Sequence, residues 1–182
     1  SVPTGNFGDV YAGYLAKKIG LPINKFVVAT NQNDILHRVI SKGTYSIENV
    51  SETITPSMDI QIASNFERLI YDLNNHSDEK TIEAMESIKE KGKYAISKEN
   101  LDKINIDFLS SSMDENEILK TIKIIYEKFN IVLDPHSAIG YCAFDKVNLK
   151  GNNIVLATAH PCKFPSAIEK AVNLKAELPN EL

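Results

Sequence analysis

The sequence predicts an α/β fold, and three observations predict it. Helix-period and strand-period patterns alternate along most of the chain. Two β-rich apolar runs, Lys25–Thr30 and Asn153–Thr158, have the length of buried parallel strands. The first helical stretches end on glycine, with proline following the first of them, in the usual order for a helix stop.

Taken in order, Asp9 caps a helix over Val10–Ile19 that Gly20 and Pro22 terminate. Lys25–Thr30 is the first strand, and Asn33 caps a helix from Asp34 to Lys42 closed by Gly43. From Ser57 to Lys91 the pattern is helical, with Ile60, Ala63, Phe66, Leu69, Ile70 and Leu73 at spacings of three and four. Asn74–Ser77 breaks it; Ser77 with Asp78 and Glu79 opens a second helix that Gly92 stops. Lys93–Asp107 is short, polar and mixed. Residues 58–112 are therefore expected to form a helical appendage. Glu115–Phe129 is helical, and Asp134-Pro135 opens another helix that runs to about Val147. Asn153–Thr158 is the second strand, Ser166–Leu174 the final helix, and 176–182 a tail.

Composition narrows the function classes. Of the 182 residues 43% are apolar and 24% charged, near the averages for globular proteins, and the net charge is −4. No basic run collects on one face, which argues against nucleic-acid partners, since binding to phosphate backbones rests on clustered Lys and Arg. No apolar run approaches the roughly 20 residues that cross a bilayer, and no secretory leader is evident. Cys142 and Cys162 form no CxxC pair, so reduced thiols in a cytoplasmic protein are expected. The chain opens inside a glycine turn, Ser1-Val2-Pro3-Thr4-Gly5-Asn6, without a methionine; the expectation is the tail of a longer protein.

Four stretches could carry chemistry. In Pro3–Asp9 two glycines flank Asn6-Phe7 just before a helix, so backbone N–H groups can converge on an anion; a plain structural turn fits as well. Thr158 ends a predicted parallel strand, where ligands of open α/β sheets sit; it could instead cap the next turn. His136 and His160 could be acid–base groups, but neither has a partner at metal-ligand spacing, so no metal is expected. Ser64, Asn65 and Arg68 form a polar cluster that could meet a phosphate or simply be a solvated helix face.

Read as an ordered set, PTGNFGDVYAGYLAKKIGLPI, VATNQNDILHR, TPSMDIQIASNFERL, LDPHSAIGY and LATAHPCKFPSAIEKA resemble the C-terminal portion of threonine synthases, fold-type-II pyridoxal-phosphate enzymes. The likeness covers most of residues 1–175 and is only general over 77–130. It implies a partial, tryptophan synthase β-like sheet with a helical insertion, in which 1–57 and 113–175 belong to the large cofactor-binding domain. It implies a lyase activity turning O-phospho-L-homoserine and water into L-threonine and phosphate. Gly5, Asn6, Phe7 and Gly8 would wrap the phosphate of pyridoxal 5′-phosphate, and Thr158 would bond the pyridine nitrogen. Ser64, Asn65 and Arg68 are the candidates for the substrate phosphate. The family's Schiff-base lysine lies ahead of the glycine loop, and no lysine here has its phenylalanine-lysine-aspartate context; Lys163 belongs to a different motif. No catalytic residue is therefore expected in these 182 residues, which alone should be inactive. The expected partners are a phosphorylated amino acid, and an N-terminal portion or another chain covering the exposed sheet.

Overall fold

The computed structural model describes residues 1–178. The chain enters on a two-residue strand, β1 (Val2–Pro3), turns through Thr4–Phe7, climbs a helix, α1 (Gly8–Lys18), and descends into β2 (Phe26–Thr30). β1 and β2 are parallel, with Val2 opposite Val28 and Pro3 opposite Ala29. All five β2 residues are buried. The run is apolar throughout because it faces two cores: Phe26 and Val28 enter one cluster, Val27 and Ala29 the other.

α2 (Ile35–Lys42) follows and ends on Gly43 at φ 70°. Asn33 was the expected cap, but the N-cap residue is Asp34, whose side chain makes no capping bond. The Asn33 amide is engaged elsewhere, donating to Ser51 O at 2.9 Å and Asp59 Oδ1 at 3.0 Å. β3 (Thr44–Ser46) leads to the segment where helix was expected from Ser57. Only one 3₁₀ turn, Pro56–Met58, forms there, and continuous helix begins at α3 (Phe66–Leu73). Side chains explain the difference. Asn31 Nδ2 reaches Thr53 Oγ1 and Thr55 Oγ1 at 3.0 Å each and Asp59 Oδ1 at 2.7 Å, while Asp59 Oδ2 accepts the Thr53 N–H at 2.8 Å. These bonds hold residues 53–59 on an irregular path and pin them to the end of β2.

α4 (Asp78–Lys91) starts as the sequence predicts, with Ser77 Oγ accepting the Lys80 N–H, and stops at Gly92 (φ 65°). The stretch read as mixed contains β4 (Lys93–Ala95), antiparallel to β3, and α5 (Lys98–Asp107). β5 (Phe108–Ser112) then pairs parallel with β2 along its whole length, Phe26 opposite Phe108 through Thr30 opposite Ser112, giving the order β1-β2-β5. Residues 108–112 thus share the sheet of residues 1–57 rather than the helices between.

α6 (Glu115–Phe129) opens on an Asp114–Glu117 capping box, α7 (Pro135–Val147) on Asp134, and α8 is Pro165–Val172. These three helices bury Ile118, Ile122, Ala138, Ile139 and Ile168 against Val27 and Ala29. α1 to α5 pack on the opposite face around Phe7, Phe66 and Phe108. The second expected strand does not form. The Ser1 N–H donates to Ile154 O at 2.6 Å and the Ser1 carbonyl accepts the Leu156 N–H at 3.0 Å, with Ile154 76% exposed. Of the expected tail, 179–182 lie outside the described residues.

Candidate functional site

The turn between β1 and α1 is held from both sides. Thr4 N–H donates to Ala29 O at 2.8 Å, and Asn65 N–H donates to Asn6 O at 3.1 Å. Asn6 Oδ1 lies 3.4 Å from both the N–H and the hydroxyl of Ser64, its two donors. Phe7 is the residue that fixes the turn from below. Its side chain is fully buried, edge-on to Phe66 with ring centroids 5.1 Å apart and 5.7 Å from Phe108. To reach that position its backbone takes φ 68°, an uncommon conformation for a bulky residue. So Phe7 can offer a ligand only its backbone.

Tyr11 is the first residue of the helix whose N–H bonds back, to Phe7 O at 3.1 Å. The amides ahead of it belong to the helix N-terminus, where partial positive charge favours anions. Gly5 and Gly8 allow the close packing behind them. A Cβ on Gly5 would stand 2.8 Å from Ser57 O, and one on Gly8 would stand 3.3 Å from Asn65 Nδ2.

Gly5, Asn6, Phe7, Gly8 and Thr158 line one cleft of about 380 Å³, together with Asp9, Ser57, Met58, Asn65, His136 and Ala159. Thr158 reaches the same cleft although its segment is not a strand. Its N–H donates to Ser137 Oγ at 3.1 Å, and the Ser137 hydroxyl donates to Asp134 Oδ2. Asp134 is the buried organiser of this wall: Oδ1 also accepts the His136 N–H at 2.9 Å and the Ser137 N–H at 3.3 Å. Burial alone raises the Asp134 carboxyl. The side-chain and backbone hydrogen bonds from His136 and Ser137 outweigh that and hold it below its ordinary value.

The other candidates separate. Asn65 faces the cleft, but Ser64 and Arg68 line a neighbouring hollow with Tyr11, Glu67, Tyr71 and Asp78, of which Asn65 forms the shared edge. His160 accepts the Cys162 N–H at 3.2 Å and opens a 3₁₀ turn. Among the described residues, no group of three or more His, Cys, Asp or Glu is placed to hold a metal ion, and no lysine lines the cleft. Sequence reasoning did not assign Ser57, Met58, Asp134 or Ser137 to the site; the Asp-Pro-His-Ser run at a helix start was the available signal for the last two.

Comparison with known proteins finds clear relatives of the chain. A family model described as threonine synthase, C-terminal, matches residues 137–182. Threonine synthase of Pseudomonas aeruginosa is 42% identical over 173 residues, covering 94% of this chain and 37% of that protein. Threonine synthase of Saccharomyces cerevisiae is also 42% identical, with the same coverage of each chain. Two crystal structures superpose closely. Pyridoxal-phosphate-bound threonine synthase from Brucella melitensis gives a TM-score of 0.96 at 42% identity, over 100% of this chain and 39% of its own. The yeast enzyme gives 0.89 at 40% identity, over 99% and 39%. The chain spans under two-fifths of the length of these relatives.

Proposed function

The chain belongs to the threonine synthase family, matching the C-terminal part of its members, and from that premise we propose that its cleft is the phosphate and ring-nitrogen half of a pyridoxal 5′-phosphate site. The protein it serves converts O-phospho-L-homoserine and water to L-threonine and phosphate, in the cytoplasm. One observation carries the reading: the Gly5–Gly8 turn and Thr158, far apart in sequence, line the same cleft.

The residues present fit the cofactor. A tight turn without Cβ at Gly5, running into a helix N-terminus, suits a phosphate monoester. Thr158, which lines the same cleft, is the hydroxyl we assign to a heterocyclic nitrogen. When bound, pyridoxal phosphate supplies an electron sink for carbon acids next to a substrate amine. The chain's own share is to bind and orient. Phe7 and the Asn6–Ser64–Asn65 bonds keep the amides in place, and the Asp134–Ser137 bonds keep Thr158 at its distance. Because Thr158 is neutral, it accepts or donates a hydrogen bond without placing a charge on the ring. Ser64, Asn65 and Arg68, at the rim and in the adjoining hollow, are the groups we assign to the substrate phosphate, where an arginine suits a dianion.

No lysine lines the cleft, so the covalent anchor for the cofactor comes from residues outside these 182, and the chain by itself does not turn over. That same feature favours a second reading, a remnant that binds a phosphorylated ligand without catalysis. The exposed apolar side chains of Ile19 (89%), Leu21 (52%) and Ile154 (76%) are what the rest of the protein, or another chain, covers. Among the described residues no helix is long and apolar enough to cross a membrane.

The deciding measurement is threonine formation and phosphate release from O-phospho-L-homoserine by the complete protein supplied with pyridoxal phosphate. Thr158→Val in that protein should lower turnover at least tenfold while leaving the fold intact. A complete protein that binds the cofactor but makes no threonine supports the remnant instead.

A further inference from the structure

We infer that His136 is a direct ligand contact of this cleft: its Nε2 accepts a hydrogen bond from a hydroxyl of the phosphorylated pyridine bound beside the glycine turn and Thr158. The inference rests on the cofactor reading above and adds to it a residue with a defined tautomer.

The imidazole is built into the wall. His136 is the second residue of α7 and is only 4% exposed. Its ring lies against Phe164, centroids 4.7 Å apart, and its Nδ1 stands 3.2 Å from Asp134 Oδ1. Asp134 is itself fixed by three further hydrogen bonds from the start of α7, so the ring has no freedom to turn away. An ionised carboxylate only accepts hydrogen bonds, so Nδ1 carries the proton and Nε2 is the atom left for another partner.

That partner is not supplied by the described residues. His136 Nε2 is the one buried side-chain nitrogen or oxygen among them without a hydrogen-bond partner. Buried polar atoms are almost always paired, and the exceptions gather where a ligand completes them. His136 also lines the same cleft as Gly5–Gly8 and Thr158. A nitrogen that is buried, oriented and unpaired, on the wall of a cleft with an anion-binding turn, has the attributes of a ligand contact and not of a core histidine. Asp134 then acts as a positioning residue: through Oδ1 it sets the histidine tautomer, and through Ser137 it sets Thr158.

The test uses the complete protein and pyridoxal phosphate itself. Equilibrium binding should show His136→Phe weakened about tenfold or more, the equivalent of about 1.4 kcal/mol, with a displaced absorption band in the loaded protein. His136→Gln, whose amide can reach the position of Nε2, should recover much of that loss. In the unsubstituted protein, long-range 1H–15N spectra should show the His136 Nε2 resonance moving when the cofactor is added. This last readout does not depend on any variant folding. An unmoved Nε2 resonance, or a folded His136→Phe with unchanged affinity and an unchanged band, overturns the inference while leaving the cofactor reading intact. Failure of the unsubstituted protein to take up pyridoxal phosphate overturns both.

Discussion

Replacing Gly5 with alanine isolates the geometric claim on which the anion site depends. The added Cβ would lie 2.8 Å from Ser57 O and 3.4 Å from Met58 Cα, both backbone atoms, so no side chain can swing aside to admit it. Nor is the turn free to recoil. Thr4 is bonded to Ala29 ahead of it, and Asn6 O to Asn65 N–H behind it. Residues 53–59 are equally held, through Asn31 and Asp59, so Ser57 cannot retreat cheaply. Forcing one methyl into such a contact costs about 1–3 kcal/mol. Because the strain falls on the turn, pyridoxal phosphate affinity should drop about tenfold for each 1.4 kcal/mol that binding must restore. Gly8→Ala serves as the graded control. Its Cβ would meet only the Asn65 side-chain amide at 3.3 Å, and alanine gains up to about 1 kcal/mol of helix propensity there. Urea unfolding without cofactor and equilibrium binding with it should therefore rank Gly5→Ala well below Gly8→Ala in stability. A Gly5→Ala protein that unfolds at the original midpoint and binds the cofactor equally well would refute the close-approach argument.

Two further outcomes follow from buried groups. Phe7→Ala removes a fully buried ring from between Phe66 and Phe108 and should destabilise the protein by about 3–5 kcal/mol in urea unfolding. Asp134 makes stability depend on pH with a determined sign. Its folded-state value is held below the ordinary one, so its contribution is complete above the unfolded value of 3.8 and is lost as pH falls through the lower folded value. Asp134→Asn should accordingly be less stable than the original protein at neutral pH, and the gap between their urea midpoints should narrow below about pH 4. A gap that stays constant down to pH 2 would show that the carboxylate is not held by His136 and Ser137.

Much of the fold was legible wherever one residue pattern answered to one physical demand. Phe26–Thr30 reads as a strand because both its faces are buried, and Ser77 and Gly92 mark α4 because cap chemistry is local. β5 was not legible. Of Phe108-Leu109-Ser110-Ser111-Ser112 only Phe108 is buried, and what makes the run a strand is five residues of ladder with β2, a partner some 80 positions earlier. Asn153–Thr158 has the same β-rich composition, and its backbone bonds are those of Ile154 and Leu156 to Ser1 and of Thr158 to Ser137. Composition states a preference for sheet, and only a neighbour with free backbone groups can satisfy it.

The site divides in the same way. The Gly5–Gly8 turn was visible because the need for space leaves glycines in the sequence, and Thr158 was visible from its motif. What holds Thr158 at the cleft was not visible, because it lies in Asp134 and Ser137, ordinary helix-start residues to the eye. Asp134 caps α7, holds His136 and, through one hydroxyl, carries the Thr158 backbone. A single buried carboxylate thus ties the end of an unpaired segment to the start of a packed helix. That coupling fixes the Thr158 backbone through the Asp134–Ser137 pair, so loosening either residue should shift Thr158 as well.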